Sequence, residues 1–133
     1  REAHTEAISA AGVPTKLDVC VPLGELTALV AELPETVARV APKARVVPFG
    51  HLNEGNLHLN ILNTDEHAED VTDAVLRLVA AHRGTISSEH GVGRAKSPWL
   101  SLSRTPEEIR AMRSIKAALD PAGILNPGVL LPD

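Results

Sequence analysis

A strand–turn–strand segment with two histidines constrains the fold more than any other stretch of the chain. The apolar runs Arg45–Phe49 and Leu57–Leu62 flank the polar, glycine-containing break Asn53–Gly55, a pattern typical of a β-hairpin. His51 and His58 lie seven residues apart. Because side chains alternate between the two faces of a straight strand, this odd separation would put them on opposite faces. A turn between them is therefore required to bring the two imidazoles together.

The second strand of this hairpin has one apolar and one polar face. Leu57, Leu59 and Ile61 alternate with His58 and Asn60, as expected for a strand with one face in the core. His58 and Asn60 are therefore predicted on the face that is available for chemistry.

A second stretch adds a carboxylate and a third imidazole. Ser87–Gly93 is a glycine-rich loop in which Glu89 is followed directly by His90. Two histidines and one carboxylate form a facial metal site that leaves positions open for a substrate, so His51, His58 and Glu89 are candidate ligands. The alternatives are a hydrogen-bonded polar cluster without metal and, for the two hairpin histidines alone, one surface and one core histidine.

The alternation of strand and helix patterns predicts an α+β fold. The predicted strands are residues 16–21, 44–49, 57–62 and 85–87. The predicted helices are a segment that ends before Gly12, residues 24–40, residues 66–82 and a segment that begins at Thr105. The central order β-α-β-β-α-β is typical of a ferredoxin-like antiparallel sheet with helices on one face. A C-terminal helix and an extended tail, residues 122–133, follow it.

Several details of the helices are predicted as well. Pro34 lies inside the first long helix and should kink it or break it into two pieces near Leu33. Thr105 as N-cap, Pro106 at the first position and Glu108 three residues after the cap are a strong helix start. The side chains that the last two helices should bury are Val71, Val75, Leu78, Val79, Ile109, Met112, Ile115 and Leu119.

Composition places the chain among ordinary globular domains. Its 133 residues suffice for one core, and a net charge of −4 without a Lys/Arg cluster argues against a nucleic-acid interface. It contains no apolar run of membrane-spanning length and no recognisable secretory signal. Its single cysteine, Cys20, is predicted to be a buried, inert thiol, which favours a cytoplasmic location. The chain begins with Arg1 rather than Met, so we expect it to be a piece of a longer protein.

Three motifs of the chain resemble those of one known family. Phe49–His58 resembles G-H-x-G-D-G-N-x-H, Ser87–Gly93 resembles S-G-E-H-G-x-G, and Asp120–Gly128 resembles D-P-x-x-x-L-N-P-G-K. In this order they are similar to the C-terminal domain of FAD-linked oxidases, the group of D-lactate dehydrogenase, the glycolate oxidase flavin subunit and D-2-hydroxyglutarate dehydrogenase. The departures from these motifs are Asn53–Glu54, Ser88 and Val129.

The resemblance implies a cap and substrate domain, residues 1–133, of an FAD-dependent enzyme. A separate N-terminal domain, absent from this chain, would bind most of the FAD. The implied reaction oxidises a D-2-hydroxy acid to the 2-oxo acid with hydride transfer to the flavin. The chemistry agrees, because a divalent metal, Zn or Mn, lowers the pKa of a chelated hydroxyl so that an adjacent imidazole can take its proton.

The resemblance also assigns roles to individual residues. It implies His51, His58 and Glu89 as metal ligands and His90 as general base. The residues implied to contact the substrate are Arg1, Thr5, Lys16 and Asn60, and those implied to contact the flavin are Glu89, His90 and Asn126. For His90, the alternatives are a contact with a metal ligand or with the flavin instead of the substrate proton. For Arg1, Thr5 and Lys16, the alternative is a solvated helix face and strand edge. The histidines predicted to be ordinary surface residues are His4, His67 and His82.

The expected partners are a small 2-hydroxy acid and the FAD-binding domain of the same protein. A homodimer is a further possible assembly. The competing hypothesis is a non-catalytic, free-standing module that binds a metal or a small acid. A flavin-binding region upstream of Arg1 would distinguish the enzyme from the module.

Overall fold

The sheet has three antiparallel strands, with the second strand of the predicted hairpin in its centre. The computed structural model describes Ile8 and residues 10–131. The strands are β1 (Thr15–Cys20), β2 (Arg45–Phe49) and β3 (Asn56–Leu62), in the order β1–β3–β2. β3 pairs antiparallel with both neighbours. The predicted α+β fold with an antiparallel sheet is confirmed.

Three α-helices complete the fold. They are α1 (Leu23–Val40), α2 (Ala68–Ala81) and α3 (Pro106–Leu119). Short 3₁₀ segments lie at Leu52–Glu54, Asp65–His67 and Ser97–Leu102. The N-terminal helical segment ends at Ala11, before Gly12, as predicted. Within the described part of the chain, no helix combines the length and the apolar character needed to cross a membrane.

One face of the sheet packs against α1 and α2 and forms the core. Leu57, Leu59 and Ile61 of β3 are at most 1% exposed. The helix residues in the same cluster are Leu29, Leu33, Val37, Val71, Val75, Leu76 and Val79. Burial of each large apolar side chain contributes about 1.5–3 kcal/mol, so this layer determines which way β3 faces. Leu78, predicted to be buried, is only half-buried, and Leu76 occupies a fully buried position instead.

Pro34 does not break α1, so the prediction of two pieces is wrong. The helix runs without interruption from Leu23 to Val40. A proline removes one hydrogen bond of the helix, here the one that its N–H would donate to the carbonyl of Val30, at a cost of about 3 kcal/mol. Pro34 and Val30 are both exposed, so water can reach that carbonyl. Leu33 and Val37 are each 1% exposed, and their packing holds the helix together across the proline.

The predicted strand 85–87 is reduced to a single bridge between Thr85 and Cys20, and that prediction is also wrong. Side chains take over the hydrogen bonds that a fourth strand would have made. The N–H of Ile86 donates to Ser103 Oγ at 3.0 Å. Lys96 Nζ donates to the carbonyls of Ile86 and Asp18 at 3.0 and 3.1 Å. After Thr85 the chain therefore leaves the edge of β1 and forms a loop.

α3 begins as predicted. Thr105 Oγ1 accepts the N–H of Glu108 at 3.2 Å, and Glu108 Oε2 accepts the N–H of Thr105 at 2.7 Å. These two bonds form a capping box, with Pro106 at the first helical position. The local start signal in the sequence was therefore sufficient to place the helix.

The burial predicted for α3 is wrong for half of its apolar residues. Ile109 and Met112 are half-buried, but Ile115 and Leu119 are 60% and 77% exposed. The tail that follows forms turns rather than an extended segment. It adds further exposed apolar side chains, namely Ile124, Leu125, Val129 and Leu130. Amphipathic spacing predicts a helix, but it does not show whether the described residues provide anything for that face to pack against.

His82 connects α1 to α2 and is not the surface residue that was predicted. Its side chain is 12% exposed and its Nδ1 lies 3.0 Å from Glu25 Oε2. Its Nε2 lies 3.2 Å from Glu32 Oε1. The hydrogen bond with Glu25 raises the pKa of His82. The pKa of Glu25 is lowered, first by His82 and then by Arg83.

His67 and Cys20 differ in how well their exposure matches the prediction. The side chain of His67 is 43% exposed, as expected for a surface residue. Cys20 lies in a strand as predicted but is only half-buried, and its Sγ donates to the carbonyl of Glu54 at 3.3 Å. His4 lies outside the described residues.

The His82 contacts predict a pH-dependent contribution to stability. Because the pKa of His82 is raised above its ordinary 6.5, its contribution is complete below that pH and is lost as pH rises through the folded-state pKa. Because the pKa of Glu25 is lowered from 4.5, its contribution is complete above that pH and is lost as pH falls through the folded-state pKa. His82→Gln should therefore lower the melting temperature more at pH 6 than at pH 9.

Thermal unfolding followed by circular dichroism measures this difference. His67→Gln, a substitution at an exposed imidazole 3.9 Å from Glu66 and Asp70, is the matched control and should shift the melting temperature little at either pH. Equal destabilisation by His82→Gln at both pH values would contradict the predicted role of the ionised pair.

Candidate functional site

A row of three side chains crosses the face of the sheet that is opposite the core. His58 in β3 pairs with Asp18 in β1 and with Phe49 in β2. The rings of Phe49 and His58 lie 5.5 Å apart, tilted by 53°. His58 Nδ1 lies 3.4 Å from Asp18 Oδ1. The imidazole of His58 is therefore held between an aromatic ring and a carboxylate.

The hairpin turn returns His51 to the same face. Gly50 allows a close approach, because a Cβ at this position would lie 2.3 Å from the carbonyl oxygen of Asn56. The carbonyl of His51 accepts N–H groups from Glu54 and Asn56 at 2.9 and 3.3 Å. Gly55 ends the turn in the left-handed region, with φ of 72°, which favours glycine. The rings of His51 and His58 lie 5.9 Å apart.

Glu89 joins the two histidines. His51 Nε2 lies 3.5 Å from Glu89 Oε1, and His58 Nε2 lies 3.8 Å from Glu89 Oε2. One donor atom from each residue lies within 4.8 Å of the other two. Two ligands at about 2.1 Å from a tetrahedral metal lie about 3.4 Å from each other. The three predicted ligands converge, and their spacing fits one ion after small movements.

One buried carboxylate holds the loop that carries Glu89 and His90. Asp18 is 3% exposed, and its Oδ2 accepts the N–H groups of Ser88, Glu89 and His90 at 3.0, 2.7 and 3.0 Å. Burial raises the pKa of Asp18, but the three backbone hydrogen bonds outweigh it, and the pKa lies below its ordinary value. Asp18 is therefore a stable anion inside the fold.

His90 lies beside the cluster and shares His58 with it. The imidazoles of His58 and His90 are stacked, with ring centres 5.5 Å apart and planes 16° from parallel. Asp18, His58 and His90 form a second group whose donor atoms lie within 4.8 Å of one another. His58 therefore stands between two arrangements, the more open one with His51 and Glu89 and the more buried one with Asp18 and His90.

A pocket of about 440 Å³ opens beside these imidazoles. His58, Asn60 and His90 contribute to its wall, together with Lys16, which pairs with Asn60 across the strands. The remaining cationic residues of the wall are Arg94 and Lys96. Burial lowers the pKa of Lys96, and its ammonium group already donates to two carbonyls. Lys16 and Arg94 are exposed and thus give the pocket its accessible positive charge.

The structure brings most of the predicted site residues together. His51, His58, Asn60, Glu89, His90 and Lys16 all lie at this face. Arg1 and Thr5 lie outside the described residues. Asn126 lies in an exposed turn of the tail, with φ of 46°. The tail reaches the site loop through the N–H of Leu130, which donates to the carbonyl of Gly93 at 3.1 Å.

Sequence reasoning missed Asp18 and Lys96. Asp18 follows the alternation of β1 and shares a face with Lys16, and this same-face spacing was the available signal. An acidic residue between Leu17 and Val19 is unusual in a strand that contributes to the core. Lys96 lies in a segment without helix or strand periodicity, so nothing in the local sequence indicated its contacts.

Comparison with known proteins identifies the family of this chain. A family model for FAD-linked oxidases, C-terminal domain, matches residues 1–130. The chain belongs to this family. The match covers every residue discussed for the site of this FAD-linked oxidase domain.

Individual relatives share one name. The D-2-hydroxyglutarate dehydrogenase of Stutzerimonas stutzeri (strain A1501) is 41% identical over 136 residues, which cover 96% of this chain and 29% of that protein. The mitochondrial D-2-hydroxyglutarate dehydrogenases of Bos taurus and Arabidopsis thaliana are 43% identical over 137 residues and 41% identical over 140 residues. Each match covers 99% of this chain and 24% of the relative. The FAD-linked oxidase domain thus spans about a quarter of the length of the curated relatives that it matches.

The close approach at Gly50 predicts a stability difference between two Gly→Ala substitutions in this FAD-linked oxidase domain. Gly50→Ala would place a Cβ against backbone atoms of Asn56 and Leu57, so it should destabilise the fold by about 1–3 kcal/mol. Gly24 lies in α1, and a Cβ added there meets no atom within 4 Å. Gly24→Ala should therefore leave the stability of the fold unchanged or raise it by up to about 1 kcal/mol. Urea unfolding of both variants measures the difference. Equal stabilities would show that the His51 turn is not tightly packed.

Proposed function

We propose that this chain is the substrate and cap domain of an FAD-dependent dehydrogenase that oxidises a D-2-hydroxy acid to the 2-oxo acid. The observation that carries the proposal is the convergence of His51, His58 and Glu89 beside His90 in a member of the FAD-linked oxidase family. The names of the relatives favour D-2-hydroxyglutarate as substrate.

The reaction requires two hydrogens to leave the substrate. The hydroxyl proton is lost, the C2–H bond breaks with its electron pair, and a C=O bond forms. A bound divalent metal would lower the pKa of the substrate hydroxyl, and bound FAD would accept the hydride from C2. The remaining tasks, which are orienting the acid and removing the hydroxyl proton, belong to residues of this chain.

His90 is proposed to take the hydroxyl proton. His90 lines the pocket, its ring stacks against His58, and its backbone N–H donates to Asp18. Asn60 and Lys16, paired across the strands, are proposed to orient a carboxylate of the substrate. Arg1 and Thr5 are proposed to contact the substrate as well, and this proposal rests on the family resemblance alone. An imidazole fixed at its backbone beside a cationic pocket is a suitable general base for an anionic hydroxy acid.

His51, His58 and Glu89 are proposed as the metal ligands. Two imidazole nitrogens and one carboxylate are a donor set suited to Zn²⁺ or Mn²⁺. The side chain of Glu89 is 45% exposed and that of His51 is 35% exposed, so an ion between them would keep positions open to water or substrate. This is the geometry expected for a catalytic rather than a structural metal.

The FAD-binding domain of the same protein is proposed to cover α3 and the tail. The chain spans about a quarter of its relatives, and its exposed apolar side chains concentrate on this part. The large ones there are Ile115, Leu119, Ile124, Leu125, Val129 and Leu130. Exposed apolar patches commonly mark contacts with another domain. Asn126, proposed to contact the flavin along with Glu89 and His90, lies within the same tail.

We also propose a cytoplasmic location for this protein. The names of two relatives, from Bos taurus and Arabidopsis thaliana, include the word "mitochondrial".

Substitution of the proposed base tests the reaction. In the intact protein with FAD bound, His90→Ala should slow flavin reduction by D-2-hydroxyglutarate by roughly 10²–10⁴, the usual scale for loss of a general base, while flavin content stays unchanged. Stopped-flow absorbance measures the rate. His67→Ala, at an exposed surface position, is the matched control. An unchanged rate in His90→Ala would remove His90 from the mechanism, and an intact protein without flavin would favour the non-catalytic module.

Calorimetric titration tests the metal ligands separately from turnover. Wild-type protein should bind one Zn²⁺ at pH 7.5. His58→Ala should lose most of that affinity, because a single imidazole and a carboxylate remain. His67→Ala should bind as the wild type does. Equal binding by His58→Ala and the wild type would show that the hairpin and the Glu89 loop do not form one site.

A further inference from the structure

Asp18 makes two kinds of contact with its two oxygens. Oδ2 accepts three consecutive backbone N–H groups, those of Ser88, Glu89 and His90. Oδ1 is fully buried and has no hydrogen-bond partner in the described part of the chain. It faces His58 Nδ1 at 3.4 Å. One side chain therefore touches both the loop of Glu89 and the imidazole of His58.

The contact with Oδ2 determines the path of the site loop. Three N–H groups that converge on one oxygen fix three successive peptide planes, and hydrogen bonds to a carboxylate are stronger than neutral ones. Glu89 contributes the shortest of the three, at 2.7 Å. The side chains of Glu89 and His90 start from this fixed backbone, so their directions depend on Asp18.

The position of Oδ1 favours a proton on Nδ1 of His58, although the two atoms, 3.4 Å apart, do not form a hydrogen bond in this geometry. An imidazole nitrogen that faces a buried carboxylate is favoured as the N–H donor, and the other nitrogen then keeps its lone pair. In His58 the other nitrogen is Nε2, which lies 3.8 Å from Glu89 Oε2 in the proposed metal cluster. The lone pair therefore points to the side where an ion would bind.

We propose that Asp18 is a positioning residue of the metal site, which holds the Glu89–His90 loop with one oxygen and the Nδ1–H tautomer of His58 with the other. The inference rests on the proposed function, since it takes His51, His58 and Glu89 as the ligands. It adds a residue whose action is transmitted through His58 and Glu89 and which itself touches neither ion nor substrate.

A direct ligand role for Asp18 is less suited to the geometry. Asp18, His58 and His90 also form a compact group, but Asp18 Oδ2 already accepts three hydrogen bonds and the side chain is 3% exposed. An ion bound there would have to give up hydration water beside a carboxylate that is 3% exposed, at a cost in free energy. The side chains of His51 and Glu89 in the other group are 35% and 45% exposed, so an ion there would keep more of its water.

The substitution Asp18→Asn separates the two roles. The three N–H donors require an oxygen at the Oδ2 position, so they orient the new amide with its NH₂ group toward His58. His58 Nδ1 must then accept, and its proton moves to Nε2, which can no longer bind a metal. We expect the affinity of the intact protein for Zn²⁺, measured by calorimetry, to fall 10–100-fold, the usual effect of losing such a partner.

Nitrogen-15 NMR of His58 supplies a readout that a merely structural role would not change. The wild type without metal should show the proton on Nδ1, and Asp18→Asn should show it on Nε2. The matched control is Asp120→Asn, because Asp120 is 7% exposed and also accepts backbone N–H groups, from Ile124 and Leu125. This control should leave both the Zn²⁺ affinity and the His58 tautomer unchanged.

Each outcome decides the inference. Zn²⁺ binding that is lost in His58→Ala but kept at wild-type affinity in Asp18→Asn would overturn the role of Asp18 and leave the metal site intact. Absence of Zn²⁺ binding in the wild type would contradict the metal site itself, and the tautomer shift would then decide the Asp18–His58 contact alone. If Asp18→Asn does not fold, a wild-type His58 with its proton on Nε2 is the result that overturns the proposal.

Discussion

The candidate site depends on the register of β3 between its two neighbours. Asp18, His58 and Phe49 lie in one row because β3 pairs antiparallel with β1 and β2 at these positions. A shift by one residue would turn His58 into the apolar core and bring a leucine to the site. Leu57, Leu59 and Ile61 are at most 1% exposed on the opposite face. The apolar layer therefore fixes the position of the polar row, although it touches no ligand.

The chain leaves the edge of the sheet after Thr85, and the loop that follows brings Glu89 and His90 to the site. Gly84 passes so close to β1 that a Cβ would lie 2.6 Å from the carbonyl oxygen of Cys20, and Thr85 still forms a bridge with that strand. After Thr85, the N–H groups of residues 88–90 donate to the side chain of Asp18 and not to the backbone of a neighbouring strand. Lys96 satisfies the carbonyls that the missing strand leaves. With its backbone bonded to Asp18, Glu89 places its carboxylate within 3.5 and 3.8 Å of the hairpin histidines.

The sequence was sufficient for features that depend on local order and insufficient for those that depend on distant pairing. The hairpin, the capping box of α3 and the Glu89–His90 loop each follow from a short stretch of residues. Asp18 gains its role from His58, 40 positions later, and from a loop about 70 positions later, which no local pattern encodes. The break that was one of the two outcomes predicted at Pro34 does not occur, because the packing of Leu33 and Val37 outweighs a local penalty. The burial of Ile115 and Leu119 was misjudged because periodicity identifies an apolar face but not its partner.

The site separates the charges that hold the fold from the charges that a ligand can reach. Oδ2 of Asp18 and Nζ of Lys96 are both directed to backbone groups. They stabilise the loop and contribute little net charge to the pocket, since their opposite charges offset each other. Lys16 and Arg94 remain exposed at its wall. The chain as a whole carries −4, so an anionic substrate would be attracted by this local pair of cations and not by the net charge. Recognition of a hydroxy acid therefore depends on the arrangement that the buried Asp18 and Lys96 maintain.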